Sequence, residues 1–377
     1  MSSVHELTRA LVAVPSHTDE TAAGDHIEQW LRSETDSRVE RDSHGNVVAR
    51  KGEGERSLAL IGHHDVVPPD SAQTEDGEYV VETHEDRLYG RGAADMKGAV
   101  AASLCAFRDR DPENSELVFA SFVGEETGGE GARGAIADGF APTHAVVGEG
   151  STGYSAPGVT DVAIAHKGRR ATTVHAEGVA AHASQPEAGT NAIYRATDAV
   201  DAIPEFQAPA TTVLGHELRG SVAVTEIEGG SAWNVIPESC SITVDERTVP
   251  GERVPLDTLA QREGISVSVD RDLKPMACTD GDFADLALDA ARAVQHPASN
   301  QMNTDVEGQP EPAHVVKPHA TEAGWLAEAG TVCVVCGPAE PGEAHTADES
   351  VSLPVLDRCY EIYREVTTRF DSTPVGR

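Results

Sequence analysis

Apolar runs of strand length alternate with helix-patterned segments through the first 140 residues, and this alternation narrows the fold more than any other feature of the chain. The runs Asn46-Val-Val-Ala-Arg50, Ser57-Leu-Ala-Leu-Ile61 and Leu117-Val-Phe-Ala-Ser-Phe-Val123 are short and rich in β-branched residues. Around them, amphipathic helices are expected over residues 3–13 and 26–33. An alanine-rich helix is expected from Gly98 to about Asp109, and another over 131–138. Strand, helix, strand, helix at this spacing implies a mostly parallel sheet with helices on both faces, an α/β class whose functional loops lie at the carboxyl ends of strands.

From about Lys167 the texture changes. Thr172-Thr-Val-His-Ala176, Ser221-Val-Ala-Val-Thr-Glu-Ile227, Ser239-Cys-Ser-Ile-Thr-Val-Asp245 and Ile265-Ser-Val-Ser-Val-Asp270 alternate with period two, as half-exposed strands do. Helical patterns separate them at 191–203 and 256–262. A helix resumes at Asp282, and Thr331-Val-Cys-Val-Val-Cys336 reads as one more buried strand of the first sheet. The expected division is a discontinuous domain of residues 1–166 and 275–377, with an α+β unit of residues 167–274 inserted into it.

Composition sets the background against which single acids must be judged. The chain has 63 Asp+Glu against 29 Lys+Arg, a formal charge of -34, so an acid taken at random belongs to a solvated face. Such a surface suits concentrated salt, where the Debye length falls to roughly 3 Å at 1 M. It argues against DNA, RNA or an anionic membrane as partner, which are met by clustered Lys and Arg. No run reaches the roughly 18 apolar residues of a membrane span, and residues 1–19 do not pattern as a secretion signal, so a cytoplasmic protein is expected. Cys333 and Cys336 fall on a buried strand where positions three apart face opposite ways, which favours core packing over chemistry.

Against that background a few acids and histidines stand out, because each ends an apolar run beside glycine. In Gly62-His63-His64-Asp65 the side chains of His63 and Asp65 share a strand face, which lets the acid orient the imidazole; a strand end with a capping acid is the plainer alternative. Asp95, in Gly90-Arg-Gly-Ala-Ala-Asp95-Met-Lys-Gly98, would repel a phosphate but could bridge two cations about 3.5–4 Å apart. Glu125 and Glu126 follow the strand ending near Val123, and adjacent acids suit one metal ligand and one base. Glu149 follows His144-Ala-Val-Val-Gly, and His345 lies in Gly342-Glu-Ala-His345-Thr-Ala-Asp-Glu349.

Taken jointly, the motifs GHHDVVP, GRGAADMKG, GEE after a strand, VVGEG, AHASQPEAGTNAI, GGSAWNVIPESCSITVDERTVPG and GPAEPGEAHTADE resemble the zinc aminoacylase and carboxypeptidase family. That family contains acetylornithine deacetylase and succinyl-diaminopimelate desuccinylase. The resemblance runs along nearly the whole chain. It implies a two-zinc exopeptidase-like domain and makes the insert a lid and dimerisation domain. His63, Asp95 and Glu149 would hold one Zn2+ and Asp95, Glu126 and His345 the other, with Co2+ as a substitute. Asp65 would orient His63, and Glu125 would be the general base.

The same resemblance makes His182 an oxyanion donor that reaches across from the second copy in a homodimer. It makes Asn234 and Arg247 contacts to a small N-acyl amino acid or short peptide. A fork of guanidinium donors suits a substrate carboxylate, although Arg247 stands beside Asp245 and Glu246 and an ion pair is the alternative. The segment His319-Ala-Thr-Glu322-Ala-Gly-Trp325 is similar to acetylornithine deacetylases. Glu149-Gly150 departs from the family's usual Glu-Pro.

Overall fold

The computed structural model describes residues 3–295 and 310–373. They form two compact units, one of Met1–Ala165, Ala277–Lys317 and Thr321–Arg377, the other of His166–Met276 with Pro318–Ala320.

The first unit is built on a nine-stranded sheet with a parallel centre. Strand Ser57–His63, buried at every position, runs parallel to Glu116–Phe122 on one side and to His144–Val147 on the other. Val332–Val335 adds in parallel beside His144–Val147. The flanks depart from the expected pattern: Val47–Lys51 and Arg38–Arg41 are antiparallel, as is the pairing of Val162–His166 with Val332–Val335. The parallel centre positions the chemistry, because its register places His63 opposite Phe122 and Ile61 opposite Val147. Carboxyl ends that stop at one level deliver the loops after them to one place.

Small residues let a helix press onto this sheet. The helix Gly98–Arg108 is buried from Gly98 through Phe107, and a Cβ on Gly62 would stand 2.7 Å from Met96 Cε and 2.9 Å from Val100 Cγ2. Glycine is therefore required one residue before His63. The core continues into Val4–Val12, Gly281–Gln295 and Leu353–Ser372, where Leu11, Ala284, Leu356 and Phe370 pack with Phe107 and Phe119. Truncating a fully buried ring such as Phe107 to alanine costs about 3–5 kcal/mol. All six cysteines are buried and free. Among the described residues no helix is long and apolar enough to cross a membrane.

The second unit is a four-stranded antiparallel sheet in the order Ser221–Gly229, Ser239–Thr248, Gly168–Glu177, Ile265–Leu273. Along Ser239–Thr248 buried positions recur every second residue, so one face supplies a core around Val174, Ile242 and Val244 and the other stays open. Helix Ala192–Ala202 covers the apolar face and starts where the Asn191 side chain accepts the Ile193 N–H at 2.9 Å. Residues 256–261, expected as helical, form a 3-10 helix. The hairpin of Ala210–Val213 and His216–Arg219 carried no strong period in the sequence.

Candidate metal centre

Four side chains of the cluster sit at or just beyond the ends of central strands. His63 is the last residue of its strand; Glu125 and Glu126 follow Phe122; Glu149 follows Val147. Asp95 lies in the turn Ala93–Lys97, entered through Gly92 at φ 83, a left-handed conformation suited to glycine. Its conformation, φ -117 and ψ 93, is not helical, and it is fixed from outside the turn. Glu349 Oε1 accepts from Ala94 N at 3.1 Å and from Asp95 N at 3.0 Å, while its Oε2 meets Arg91 Nη1 at 2.5 Å. His345 arrives on a loop at φ 62, a backbone state that costs a non-glycine residue of order 1 kcal/mol or more.

These segments converge on Asp95, which faces one histidine with each carboxylate oxygen. His63 Nε2 lies 3.0 Å from Asp95 Oδ1 and 3.5 Å from Glu149 Oε1. His345 Nε2 lies 2.9 Å from Asp95 Oδ2 and 2.9 Å from Glu126 Oε1. Two sets follow, His63 with Asp95 and Glu149, and Asp95 with Glu126 and His345, the donor atoms of each set within 4.8 Å of one another. Behind them, His63 Nδ1 lies 3.3 Å from Asp65 Oδ1, and Asp65 Oδ2 accepts the Glu126 backbone N–H at 3.0 Å. Asp65 thus braces one residue of each set.

Electrostatics describe a pocket with excess negative charge. Burial works against a charged His63, yet contact with Asp65, Asp95 and Glu149 raises its pKa well above the ordinary value. Asp95 and Glu126 push His345 up to about 10. Burial would raise Asp95, and the two histidines nevertheless hold it below the usual carboxylate range. Burial raises Glu125 well above its normal value. It also takes Glu322 up to about 8, helped by the charge of Glu149.

Two groups of three nitrogen and oxygen donors sharing one carboxylate fit a pair of zinc ions. Three protein donors per ion is the number a catalytic zinc takes, and a second metal would offset the acid surplus. Neutral imidazole is the ligating form, so metal would displace the protons from both histidines.

All five ligand candidates read from the sequence, together with Asp65 and Glu125, meet in the first unit. His182, Asn234 and Arg247 lie in the second. His182 is exposed, with Nδ1 2.7 Å from Ser184 Oγ, and its strand pairs across to Val235. The Asn234 carbonyl accepts the Ala183 N–H at 2.9 Å. Arg247 makes the ion pair considered for it, Nε to Asp245 Oδ1 at 2.8 Å, and Asp245 also holds Arg169. His64 turns the other way from His63, bonds Ser121 Oγ at 2.8 Å, and is held neutral by burial, its pKa lowered to about 3.

Sequence reasoning gave no role to Glu322, Lys317 or Glu349. Glu322 is 1% exposed and its oxygens have no hydrogen-bond partner; Lys317 Nζ lies 4.0 Å from Glu149 Oε2. The available signal was an acid and a lysine beside the buried ends of Val315-Val-Lys317 and Thr321-Glu322. For Glu349, it was a spacing of four from His345.

Residues 59–369 match the sequence profile of peptidase family M20/M25/M40. A protein of Myxococcus xanthus named acetylornithine deacetylase is 30% identical over 342 residues, covering 86% of this chain and 84% of that one. A Mycobacterium tuberculosis protein provisionally named as a succinyl-diaminopimelate desuccinylase is 26% identical over 367 residues, 95% of this chain and 96% of its own. Among solved structures, the aminopeptidase PepT of Bacillus cereus superposes with a TM-score of 0.76 at 18% identity, covering 96% of each chain, a likeness of fold.

Proposed function

The chain belongs to peptidase family M20/M25/M40 and is a metal-dependent hydrolase of amide bonds, and from that premise we propose that it uses two zinc ions to remove the acyl group from an N-acyl amino acid, as acetylornithine deacetylase does. The carrying observation is Asp95, whose two oxygens face His63 and His345 at 3.0 and 2.9 Å. His63, Asp95 and Glu149 would hold one ion, and Asp95, Glu126 and His345 the other. When bound, the ions supply Lewis acidity that polarises an amide carbonyl and acidifies a water.

The chain's own residues then do the rest. Glu125 takes a proton from the attacking water and hands it to the departing nitrogen. Asp65 fixes the ring of His63 and the backbone of Glu126 in one contact set. His182 donates to the developing oxyanion from the other copy of a homodimer. Arg247 and Asn234 meet the substrate carboxylate and acyl end, with Asp245 orienting the guanidinium. The place of work is the cytoplasm, in concentrated salt, which the formal charge of -34 supports.

The relative named as a desuccinylase supports a second reading with a longer acyl group. Release of free amine from N-acetylornithine, N-succinyl-diaminopimelate and simple dipeptides, with zinc or cobalt in high salt, separates the two. Highest kcat/KM on N-acetylornithine supports the proposal. Preference for the succinyl substrate or a dipeptide would replace it.

A further inference from the structure

Glu322 precedes the helix Ala323–Glu328 and buries a carboxylate with neither oxygen bonded. A buried carboxylate without partners is costly, and such sites select whatever supplies donors and positive charge. One oxygen of Glu322 groups with one each from Glu125 and Glu149, all within 4.8 Å of one another. Three atoms so spaced always have some point that lies within about 2.8 Å of all of them, the length of a charge-assisted N–H···O bond. A primary ammonium carries three N–H donors, one for each carboxylate.

We propose that Glu322, with Glu125 and Glu149, receives the ammonium group of the amino acid released by hydrolysis. This rests on the reading of Glu125 as base, because a carboxyl that returns its proton to the departing nitrogen must have that nitrogen within hydrogen-bond reach. The C–N bond breaks with its electron pair going to nitrogen. Both protons of the consumed water end on that nitrogen through Glu125, and the water oxygen stays on the acyl carbon, giving a carboxylate and an ammonium. Glu322 accepts the N–H that Glu125 and Glu149 leave free. The site therefore favours amides that release a primary amine over those that release a secondary one, whose ammonium has only two N–H groups.

The test is binding, not turnover. Calorimetric titration of the zinc-loaded protein with L-ornithine and L-norleucine, each against its 2-hydroxy acid, isolates the α-nitrogen. The amino acids are expected to bind at least about tenfold more tightly than the hydroxy acids, the scale of a charged hydrogen bond. Glu322→Gln should erase that preference, and Glu322→Asp should restore part of it. Equal binding of the amino and hydroxy acids, or an unchanged preference in Glu322→Gln, overturns the proposal. So does the loss of one metal equivalent in Glu322→Gln on elemental analysis, which would make the triad a cation site. The base assignment is judged separately by turnover of Glu125→Gln, so either reading can fail alone.

Discussion

The two units of this chain bury polar groups to different extents. The first buries them: His63, Asp65, Lys317, Glu322 and Glu349 are each less than 5% exposed, gathered where parallel strands end. The second buries fewer, among them Thr172, Glu246 and Thr248, around a mostly apolar core, with His182 exposed and the strand Ser221–Gly229 open along most of its length. Burying charge is unfavourable unless partners or a cation compensate, so a unit that does it repeatedly in one place is organised around a ligand. The second unit owes its fold to one-faced packing around Ile242 and Val244.

That contrast can be broken most severely at Asp95. Asp95→Ala removes a donor from both sets and should abolish bound metal as well as activity, read by elemental analysis after desalting; retention of two equivalents would show that the metals lie elsewhere. Next in size is Glu125→Gln, expected to keep its metal and lose about 10²- to 10⁴-fold in kcat, the usual contribution of a general base. Mixing it with His182→Ala, also inactive alone, should regain activity through mixed dimers. If no activity returns, His182 does not act across copies.

Glu349→Gln is a smaller perturbation. Two backbone N–H groups and Arg91 lose a charged acceptor, and zinc affinity should fall about 10- to 100-fold, the usual effect of a residue supporting a ligand. Zinc titration of the stripped protein measures it, and unchanged affinity would mean that the Asp95 turn holds its shape unaided. Last is Ile242→Ala in the second unit. It should cost about 2–5 kcal/mol of that unit's stability on denaturant unfolding and leave zinc stoichiometry untouched. A change in metal content would blur the division of labour.

The same contrast explains what the sequence made legible. Ligands at strand ends were readable because strand, glycine and acid fall within a few residues of one another, as in Gly62-His63-His64-Asp65. The parallel centre followed from the strand and helix alternation. The antiparallel flanks did not, since Val47–Lys51 and Val162–His166 have the same local pattern whichever way their neighbours run. Glu322 and Glu349 escaped because their roles depend on partners distant in sequence, Glu322 grouping with Glu125 and Glu149 and Glu349 bonding the Asp95 turn. In a chain with 63 acids, local sequence could not set them apart. Arg247 shows the converse: its neighbour Asp245 was visible two positions away, and that is the partner it takes.

Anomalous diffraction at the zinc edge from crystals of the zinc-loaded protein tests the central claim most directly. Two peaks about 3.5–4 Å apart are expected, one against His63 and Glu149, the other against Glu126 and His345, with Asp95 between them. A single peak, or a pair that does not share Asp95, would contradict the account.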